Sequence, residues 1–175
     1  MYNYSTMIIV FTGNGKGKTT AALGQAVRAI GNGKKVLMIQ FIKGPWISGE
    51  DKFFKKGKIV KTGKGFVGIL GDKLPFSVHK KAAAKGLELA KKAIQSKKWD
   101  LIILDEINNA VHLKLIKAVD VLKIIKKLSE KTDLILTGRD APKSFIKIAD
   151  ITTEMKEIKH IFQKNKRSMK KGIEY

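Results

Sequence analysis

A glycine-rich loop between an apolar run and a helical pattern constrains this chain more than any other feature of its sequence. Met7–Thr12, which reads MIIVFT, is short and rich in β-branched residues and predicts a buried strand, and helical spacing begins at Thr19. Between the two lies GNGKGK. Glycines let successive backbone N–H groups turn inward around an anion, and the N-terminus of the following helix adds the positive end of its dipole. The loop therefore predicts a phosphate-binding site between a strand and a helix.

The loop is a short variant of the P-loop pattern G-x-x-x-x-G-K-[ST], because Thr12 stands at the first glycine position. We expect Lys18 to reach phosphate oxygens and the Thr19 hydroxyl to ligate Mg²⁺. An ordinary glycine-rich turn is the alternative, and it is disfavoured because GKT stands at the expected place between strand and helix. The residues predicted to bind the nucleotide phosphates are Gly13, Asn14, Gly15, Lys16, Gly17, Lys18, Thr19 and Thr20.

Apolar runs alternate with helical patterns along the rest of the chain, which is typical of βαβ units around a parallel sheet. The first helix would bury one face formed by Leu23, Ala26, Val27 and Ile30. The other predicted elements are strands at Lys35–Phe41, weakly at Lys58–Lys61, at Asp100–Leu104, Asp133–Thr137 and Ile151–Met155, and helices at Phe76–Lys97, Asn108–Lys117, Asp120–Ser129 and Pro142–Ala149. We expect an α/β fold, a P-loop NTPase-like three-layer sandwich with a mostly parallel central sheet of about five to six strands.

The length and composition fit one domain. The chain has 175 residues, 43% of them hydrophobic, which excludes a disordered class. We predict a single nucleotide-binding domain over residues 1–175, with an irregular insertion at 43–75 and a basic C-terminal segment at 156–175. The lack of Cys excludes disulfides, Cys-ligated metals and a thiol nucleophile. Neither an export signal nor an apolar run of about 20 residues is recognisable, so we expect a cytoplasmic protein that does not span a membrane.

The chain is strongly basic, with 36 Lys+Arg against 15 Asp+Glu and a net charge of +21. Such a charge invites a nucleic-acid-binding interpretation. However, lysines are scattered along the whole chain, and arginine occurs only as Arg28, Arg139 and Arg167. Base recognition favours Arg forks and interleaved aromatics. We therefore predict no specific nucleic-acid binding and a largely solvated lysine surface.

A second motif, Asp105-Glu106, follows the apolar run Leu101–Leu104 and has the form of a Walker B strand. An acidic residue at the carboxyl end of such a strand holds Mg²⁺ directly or through water. Either carboxylate alone is also a reasonable N-cap for the next helix. Together with the loop, the pair predicts a Mg-nucleotide site to which Thr19, Asp105 and Glu106 contribute, with the roles of the two acids left open.

Three further cations are candidates for the same site. Arg139 follows a predicted strand, Lys43 closes the second strand, and Arg28 lies on the polar side of the first helix, so we expect all three to face ATP. No pair of residues suited to acid–base catalysis is recognisable. The histidines stand alone and are expected to be structural or on the surface; they are His79, His112 and His160.

With these motifs in order, the chain resembles the P-loop type of ATP:corrinoid adenosyltransferase, which acts on cob(I)alamin or cob(I)yrinic acid a,c-diamide. The resemblance runs from about Thr6 to Tyr175. The stretches that carry it are GNGKGKTTAALG at 13–24, QFIKG at 40–44, LDEI at 104–107, TGR at 137–139, and the ending Lys159-His160 with Gly172-Ile173-Glu174-Tyr175.

The resemblance implies a reaction in which a Co(I) corrinoid attacks C5′ of ATP and expels inorganic triphosphate, in adenosylcobalamin biosynthesis or salvage. The cobalt is the nucleophile, so the protein needs no general base and has to position substrates and manage charge. Lys18, Glu106 and Arg139 would then be the catalytic residues, with ATP, Mg²⁺ and a reduced corrinoid bound. A reduced flavoprotein donor and a homodimer are also implied. The alternatives are a P-loop kinase and a nucleic-acid-dependent ATPase.

The resemblance further implies aromatic side chains, on a loop after the second strand, that displace the lower axial ligand of the corrinoid. Phe66 matches the first of them and is expected to contact the lower face, but Gly68 stands where the family has a Trp. The polar stretch that usually follows is replaced by residues 69–76, which end in Phe76. Either Phe66 acts together with Phe76, or the preferred corrinoid differs, or Phe66 is a core residue.

Overall fold

The protein is built around a six-stranded sheet in a computed structural model that describes residues 6–54, 57–69, 71–160, 170 and 172–173. The strands are β1 (Ile8–Thr12), β2 (Val36–Gln40), β3 (Lys58–Lys61), β4 (Leu101–Asp105), β5 (Asp133–Thr137) and β6 (Ile151–Glu154). Their spatial order is β3-β2-β4-β5-β1-β6, and every pair is parallel. The predicted parallel sheet is confirmed.

Helices cover both faces of this sheet. They are α1 (Lys18–Gly31), α2 (Gly49–Phe53), α3 (Phe76–Ser96), α4 (Ile107–His112), α5 (Ala118–Ile125) and α6 (Lys143–Ile148). Met38 and Ile103 pack with α1 on one face, whereas Ile39 and Leu104 pack with α3, α4, α5 and α6 on the other. Since both faces are buried, the strands read as continuous apolar runs, and the predicted three-layer α/β sandwich is confirmed.

The sequence prediction misplaced part of the helix α1 interface. Val27, expected on its buried face, is 50% exposed, whereas Ala22 and Ala26 are fully buried. Leu23 and Ile30 pack only at the border of the core. Because the side chains of the two alanines are small, α1 can pack close to the sheet there. The face of α1 that contacts the sheet is therefore centred on Ala22 and Ala26, and Val27 lies outside it.

Three boundaries, in two helices, differ from the prediction by more than one residue, and one further helix was not predicted. Helix α4 ends at His112 and not at Lys117, because Lys114 adopts a left-handed conformation with φ 58°. Helix α5 begins at Ala118 and ends at Ile125, earlier at both ends than expected. Within the insertion predicted to be irregular, α2 starts at a capping box in which the Ser48 N–H and hydroxyl donate to the Asp51 carboxylate at 2.7 and 2.9 Å.

Part of the sequence interpretation falls outside the described residues. Most of the basic C-terminal segment, 161–169, 171 and 174–175, lies there, and so does Leu70 in the insertion. In the portion of the chain that the structure describes, no helix is both long and apolar enough to cross a membrane.

The carboxyl ends of four adjacent strands form the edge that carries the site. Gln40 is in register with Asp105, and Phe11 with Thr137, so the ends of β2, β4, β5 and β1 lie side by side. The loops that follow β1, β4 and β5 therefore meet, as ligand-binding loops do in open parallel sheets.

Candidate active site

The glycine-rich loop is shaped by the segment that follows β6. The Gly15 N–H donates to the Met155 carbonyl at 2.7 Å, and the Met155 N–H donates to the Thr12 carbonyl at 2.8 Å. A Cβ on Gly13 would lie 2.4 Å from the Met155 carbonyl oxygen, and one on Gly15 would lie 2.8 Å from the Lys156 backbone. Glycine is required at both positions because another stretch of backbone runs directly behind the loop.

Lys18 is held within the loop. Its side chain is buried, and Nζ donates to the Gly15 carbonyl at 2.6 Å. Burial lowers the pKa of the ammonium below its ordinary value; the Glu106 and Asp105 charges oppose this and the Arg139 charge adds to it. The structure thus places an ammonium group, with an acidic pair in its electrostatic range, at the loop predicted to bind phosphate.

Asp105 is fully buried, and both of its oxygens accept hydrogen bonds. Oδ1 accepts from the hydroxyls of Thr19 at 2.9 Å and Thr137 at 2.7 Å, and Oδ2 accepts from Gln40 Nε2 at 3.1 Å. Burial raises the pKa of this carboxyl, while the donors, Thr137 first, and the Lys43 charge pull it down. Asp105 therefore ties the start of α1 to the ends of β2 and β5.

Glu106 is surrounded quite differently. Its backbone is left-handed, with φ 61°, and its N–H donates to Thr137 Oγ1 at 3.0 Å. Its Oε2 is buried and has no hydrogen-bond partner among the described residues. Burial, and to a smaller extent repulsion from Asp105, raises the pKa of Glu106 to about 7. The positive charges of Lys18, Arg139 and Lys43 act in the opposite direction and lower it. A strained backbone and an unpartnered buried carboxylate oxygen are features of a ligand-binding position.

The oxygen donors at this edge fit Mg²⁺. The Thr19 hydroxyl, Asp105 and Glu106 are hard ligands, and the free Glu106 Oε2 is an acceptor that a cation would satisfy. Within the described ranges there is no group of three or more His, Cys, Asp or Glu side chains that could hold a metal ion by itself. One or two carboxylates plus substrate phosphates is the usual environment of Mg²⁺ in nucleotide sites.

Arg139 and Lys43 reach this edge, and Arg28 does not. The Arg139 N–H donates to Asn109 Oδ1 at 2.5 Å, and its charge lowers the pKa of Glu106. Lys43 also lowers the pKa of Glu106, while its Nζ is 2.5 Å from Glu50 Oε1. Arg28 lies in the last turn of α1, and at 1.5 Å per residue that is about 15 Å along the helix from Lys18. The contact of Arg28 with ATP therefore stays a prediction, for a residue at the far end of α1 from Lys18.

The remaining predicted residues have mixed surroundings. Asn14, Lys16 and Thr20 are exposed at the loop. Two of the histidines have surroundings that fit a structural or a surface role. His79 is buried, with Nε2 2.9 Å from Asp72, and His112 is exposed, with Nε2 3.6 Å from Asp140.

Phe66 is not a core residue. Its side chain is 42% exposed, and that of Phe76 is 47% exposed at the start of α3. The alternative in which Phe66 fills the core is therefore wrong, and both rings are open to a ligand.

Sequence analysis assigned no role to four residues that organise the site, although two of them, Gln40 and Thr137, stand in stretches that carry the family resemblance. Gln40 and Thr137 are polar residues that end apolar strands, and that position is a signal that could have revealed them. Asn108 and Asn109 have no comparable local signal. The buried Asn108 Nδ2 donates to the Gly138 carbonyl at 3.1 Å, and Asn109 accepts from Arg139, so both link α4 to the loop after β5.

Comparison with known proteins shows which family this chain is similar to. A family model described as "ATP:corrinoid adenosyltransferase BtuR/CobO/CobP" matches residues 5–175. Relatives named corrinoid adenosyltransferase are 34% identical over 173 residues in Escherichia coli K12, covering 97% of this chain and 85% of the relative. In a Sinorhizobium species the identity is 35% over 175 residues, covering 97% and 80%. In Salmonella typhimurium LT2 it is 32% over 173 residues, covering 97% and 85%.

Proposed function

Since the chain belongs to the BtuR/CobO/CobP family of ATP:corrinoid adenosyltransferases, we propose that it transfers the 5′-deoxyadenosyl group of Mg-ATP to the Co(I) centre of a reduced corrinoid and releases inorganic triphosphate. The transferase class and the adenosylation of a corrinoid follow from family membership itself. We further propose that ATP is the adenosyl donor, that Mg²⁺ is bound with it and that triphosphate is the leaving group.

The proposed step is a nucleophilic displacement at carbon. The electron pair of Co(I) forms the Co–C5′ bond, the C5′–O bond breaks, and triphosphate leaves with the bonding pair, so that cobalt ends formally as Co(III). No proton has to be removed from the nucleophile. Positioning the two substrates and stabilising negative charge on the departing triphosphate are therefore the tasks left to the protein.

The residues at the sheet edge suit those tasks. Lys18 and the loop N–H groups would hold the triphosphate, with Arg139 as a second cation. Thr19, Asp105 and Glu106 would hold Mg²⁺, which when bound supplies charge to neutralise the leaving phosphates. The observation that carries this assignment is the buried Glu106 Oε2 without a partner in the described chain, next to the Lys18 charge. A carboxylate in that position is expected where a cation binds.

The products test the proposal. Chemically reduced cobalamin and Mg-ATP should give adenosylcobalamin and inorganic triphosphate in equal amounts, measured by absorbance and anion chromatography. ADP as the main product would instead indicate a P-loop kinase or hydrolase. Turnover that requires added DNA or RNA would indicate a nucleic-acid-dependent ATPase.

The partners are proposed on the same basis. Reduction of the corrinoid to Co(I) requires a one-electron donor, for which we propose a reduced flavoprotein. We also propose that the protein is a homodimer. We propose that it works in the cytoplasm, where its ATP substrate is supplied. A sedimentation experiment tests the dimer, and a purified reduced flavodoxin in place of the chemical reductant tests the donor. A monomer at micromolar concentration, or no transfer with the flavodoxin, would contradict the respective proposal.

A further inference from the structure

An exposed tryptophan lies directly on the backbone of two glycines beside the site. Trp46 is 64% exposed. A Cβ built on Gly44 would be 2.4 Å from Trp46 Cζ3, and one on Gly65 would be 2.6 Å from Cη2. The indole therefore packs where side chains on either glycine would stand, and most of the residue still faces solvent.

The segments on both sides of the ring are anchored. Lys61 Nζ donates to the Trp46 carbonyl at 2.5 Å and to Ser48 Oγ at 3.0 Å. On the other side, the Gly65 N–H donates to the Ile42 carbonyl at 2.9 Å. An aromatic ring that is fixed before binding loses little conformational freedom when a ligand covers it, which favours affinity. Left uncovered, it exposes a large apolar area to water.

The segment that the Trp46 ring contacts also carries Phe66 and leads back to the end of β2. Phe66 follows Gly65 directly in the chain, so the exposed Phe66 belongs to the same short segment whose backbone the Trp46 ring contacts at Gly65. The Gln40 carbonyl accepts the N–H of Thr62 at 3.0 Å, and the Gln40 side chain donates to Asp105. Hydrogen bonds thus join Thr62, three residues before Gly65, through Gln40 to Asp105 at the sheet edge.

Other exposed apolar side chains are concentrated in the same part of the described chain, between β2 and the start of α3. They are Ile47, Phe53, Ile69, Leu74 and Phe76. A segment with so much exposed apolar area fits a broad ligand surface better than it fits a single nucleobase.

We propose that Trp46 is a substrate-positioning residue whose open face packs against the corrin ring beside Phe66. This inference rests on the proposed function, because it assigns a place to the corrinoid substrate of that reaction. A corrin ring offers a wide and mostly apolar face, and aromatic side chains are well suited to cover such a face.

A binding experiment tests the contact without catalysis. In a Trp99→Phe variant, Trp46 is the remaining tryptophan, and titration with cobinamide should quench its fluorescence in a saturable way. Trp99 precedes β4 at the opposite edge of the sheet, so a Trp46→Phe variant, which reports on Trp99, should be quenched less at the same cobinamide concentration. Equal quenching of the two tryptophans would overturn the inference.

Kinetics test the consequence for the reaction. Trp46→Ala should raise KM for cobinamide about tenfold, the size of a lost aromatic contact, and leave KM for ATP unchanged. Trp46→Phe should restore most of the affinity, and Val119→Ala, which shortens an exposed apolar side chain of α5 outside this segment, should change neither constant. A rise in KM for ATP alone would assign the ring to adenine, and unchanged constants in Trp46→Ala would make it structural; either result overturns the inference.

If the wild-type protein forms no adenosylated corrinoid, the proposed function itself fails, which is a separate outcome.

Discussion

Asp105 and Glu106 are neighbours in the chain, but their hydrogen bonds give them different tasks. Asp105 uses both oxygens for Thr19, Thr137 and Gln40, and it therefore holds the start of α1 against the ends of two strands. Glu106 keeps a buried oxygen without a partner in the described chain. We therefore propose that Glu106 contacts Mg²⁺ directly and that Asp105 contributes to the same magnesium site by orienting Thr19, a distinction that the motif alone leaves open.

Lys18 gives the first prediction at the scale of single residues. Replacing it with alanine removes the ammonium that we assign to the triphosphate, and losses of about 10²–10³ in rate are typical when one such group is removed. We expect Lys18→Ala to lower kcat/KM at least that much while the circular dichroism spectrum stays native. Lys85→Ala, which removes an exposed lysine of α3, is the matched control. Near wild-type transfer by Lys18→Ala would refute the assignment of the loop.

Phe66 gives the second prediction. If its exposed ring displaces the lower axial base of the corrinoid, Phe66→Ala should slow transfer to complete, base-on cobalamin more than transfer to cobinamide, which lacks that base. The measurement is the ratio of the two kcat/KM values in the variant and in the wild type. An equal loss for both substrates would rule out the displacement role and leave general contact with the ring.

At the scale of elements, the docking of α3 can be tested with two helical glycines. A Cβ on Gly86 would lie 2.5 Å from Thr62 Oγ1 and 3.0 Å from Phe41 Cε1, whereas a Cβ on Gly24 in α1 would meet nothing within 4 Å. Gly86→Ala should destabilise the fold by about 1–3 kcal/mol through overpacking. Gly24→Ala should stabilise it by roughly 0.5–1 kcal/mol, because alanine is the better helix former. Urea midpoints measure both, and stabilisation by Gly86→Ala would contradict the close contact of α3 with β2 and the residues after β3.

The elements themselves were largely predictable, because strands buried on both faces leave continuous apolar runs. β1, β2 and β5 lie within the ranges expected from such runs, β4 extends one residue beyond its range to Asp105, and even the weak strand β3 was correctly placed. Helix ends were less predictable. Helix α4 stops where Lys114 turns left-handed, and α2 is held by a capping box over too few residues to show a helical period.

The site was predictable only where its residues are adjacent in sequence. The loop around Lys18 and the pair Asp105-Glu106 follow from local patterns. The hydrogen bond from Gln40 to Asp105 depends on β2 and β4 being neighbours, and the approach of Trp46 to Gly65 depends on how the insertion folds back. Such contacts are set by strand order and loop packing, which short-range periodicity does not encode.

At the scale of the whole molecule, the net charge of +21 comes from lysines scattered along the whole chain, which predicts a largely solvated lysine surface. Such a surface attracts any polyanion weakly, and counterion release makes the attraction fall steeply with salt. We expect duplex DNA to bind with micromolar or weaker affinity at physiological salt, to dissociate at higher salt, and to leave the rate of adenosyl transfer unchanged. Fluorescence anisotropy and the transfer assay measure this, and stimulation of turnover by DNA would contradict it.

Met155 packs directly behind the glycine-rich loop, and this contact has a consequence for the order in which parts of the protein form during synthesis. The loop is among the first parts of the chain to be synthesised, whereas β6 and Met155, which close behind it, come after the other strands and helices of the described residues. A nascent chain that has not yet delivered β6 lacks the hydrogen bond that holds Gly15 and the surface against which Gly13 packs. The ribosome must therefore add β6 before the glycine-rich loop acquires its shape, and we expect ATP affinity to appear only once β6 has paired with β1.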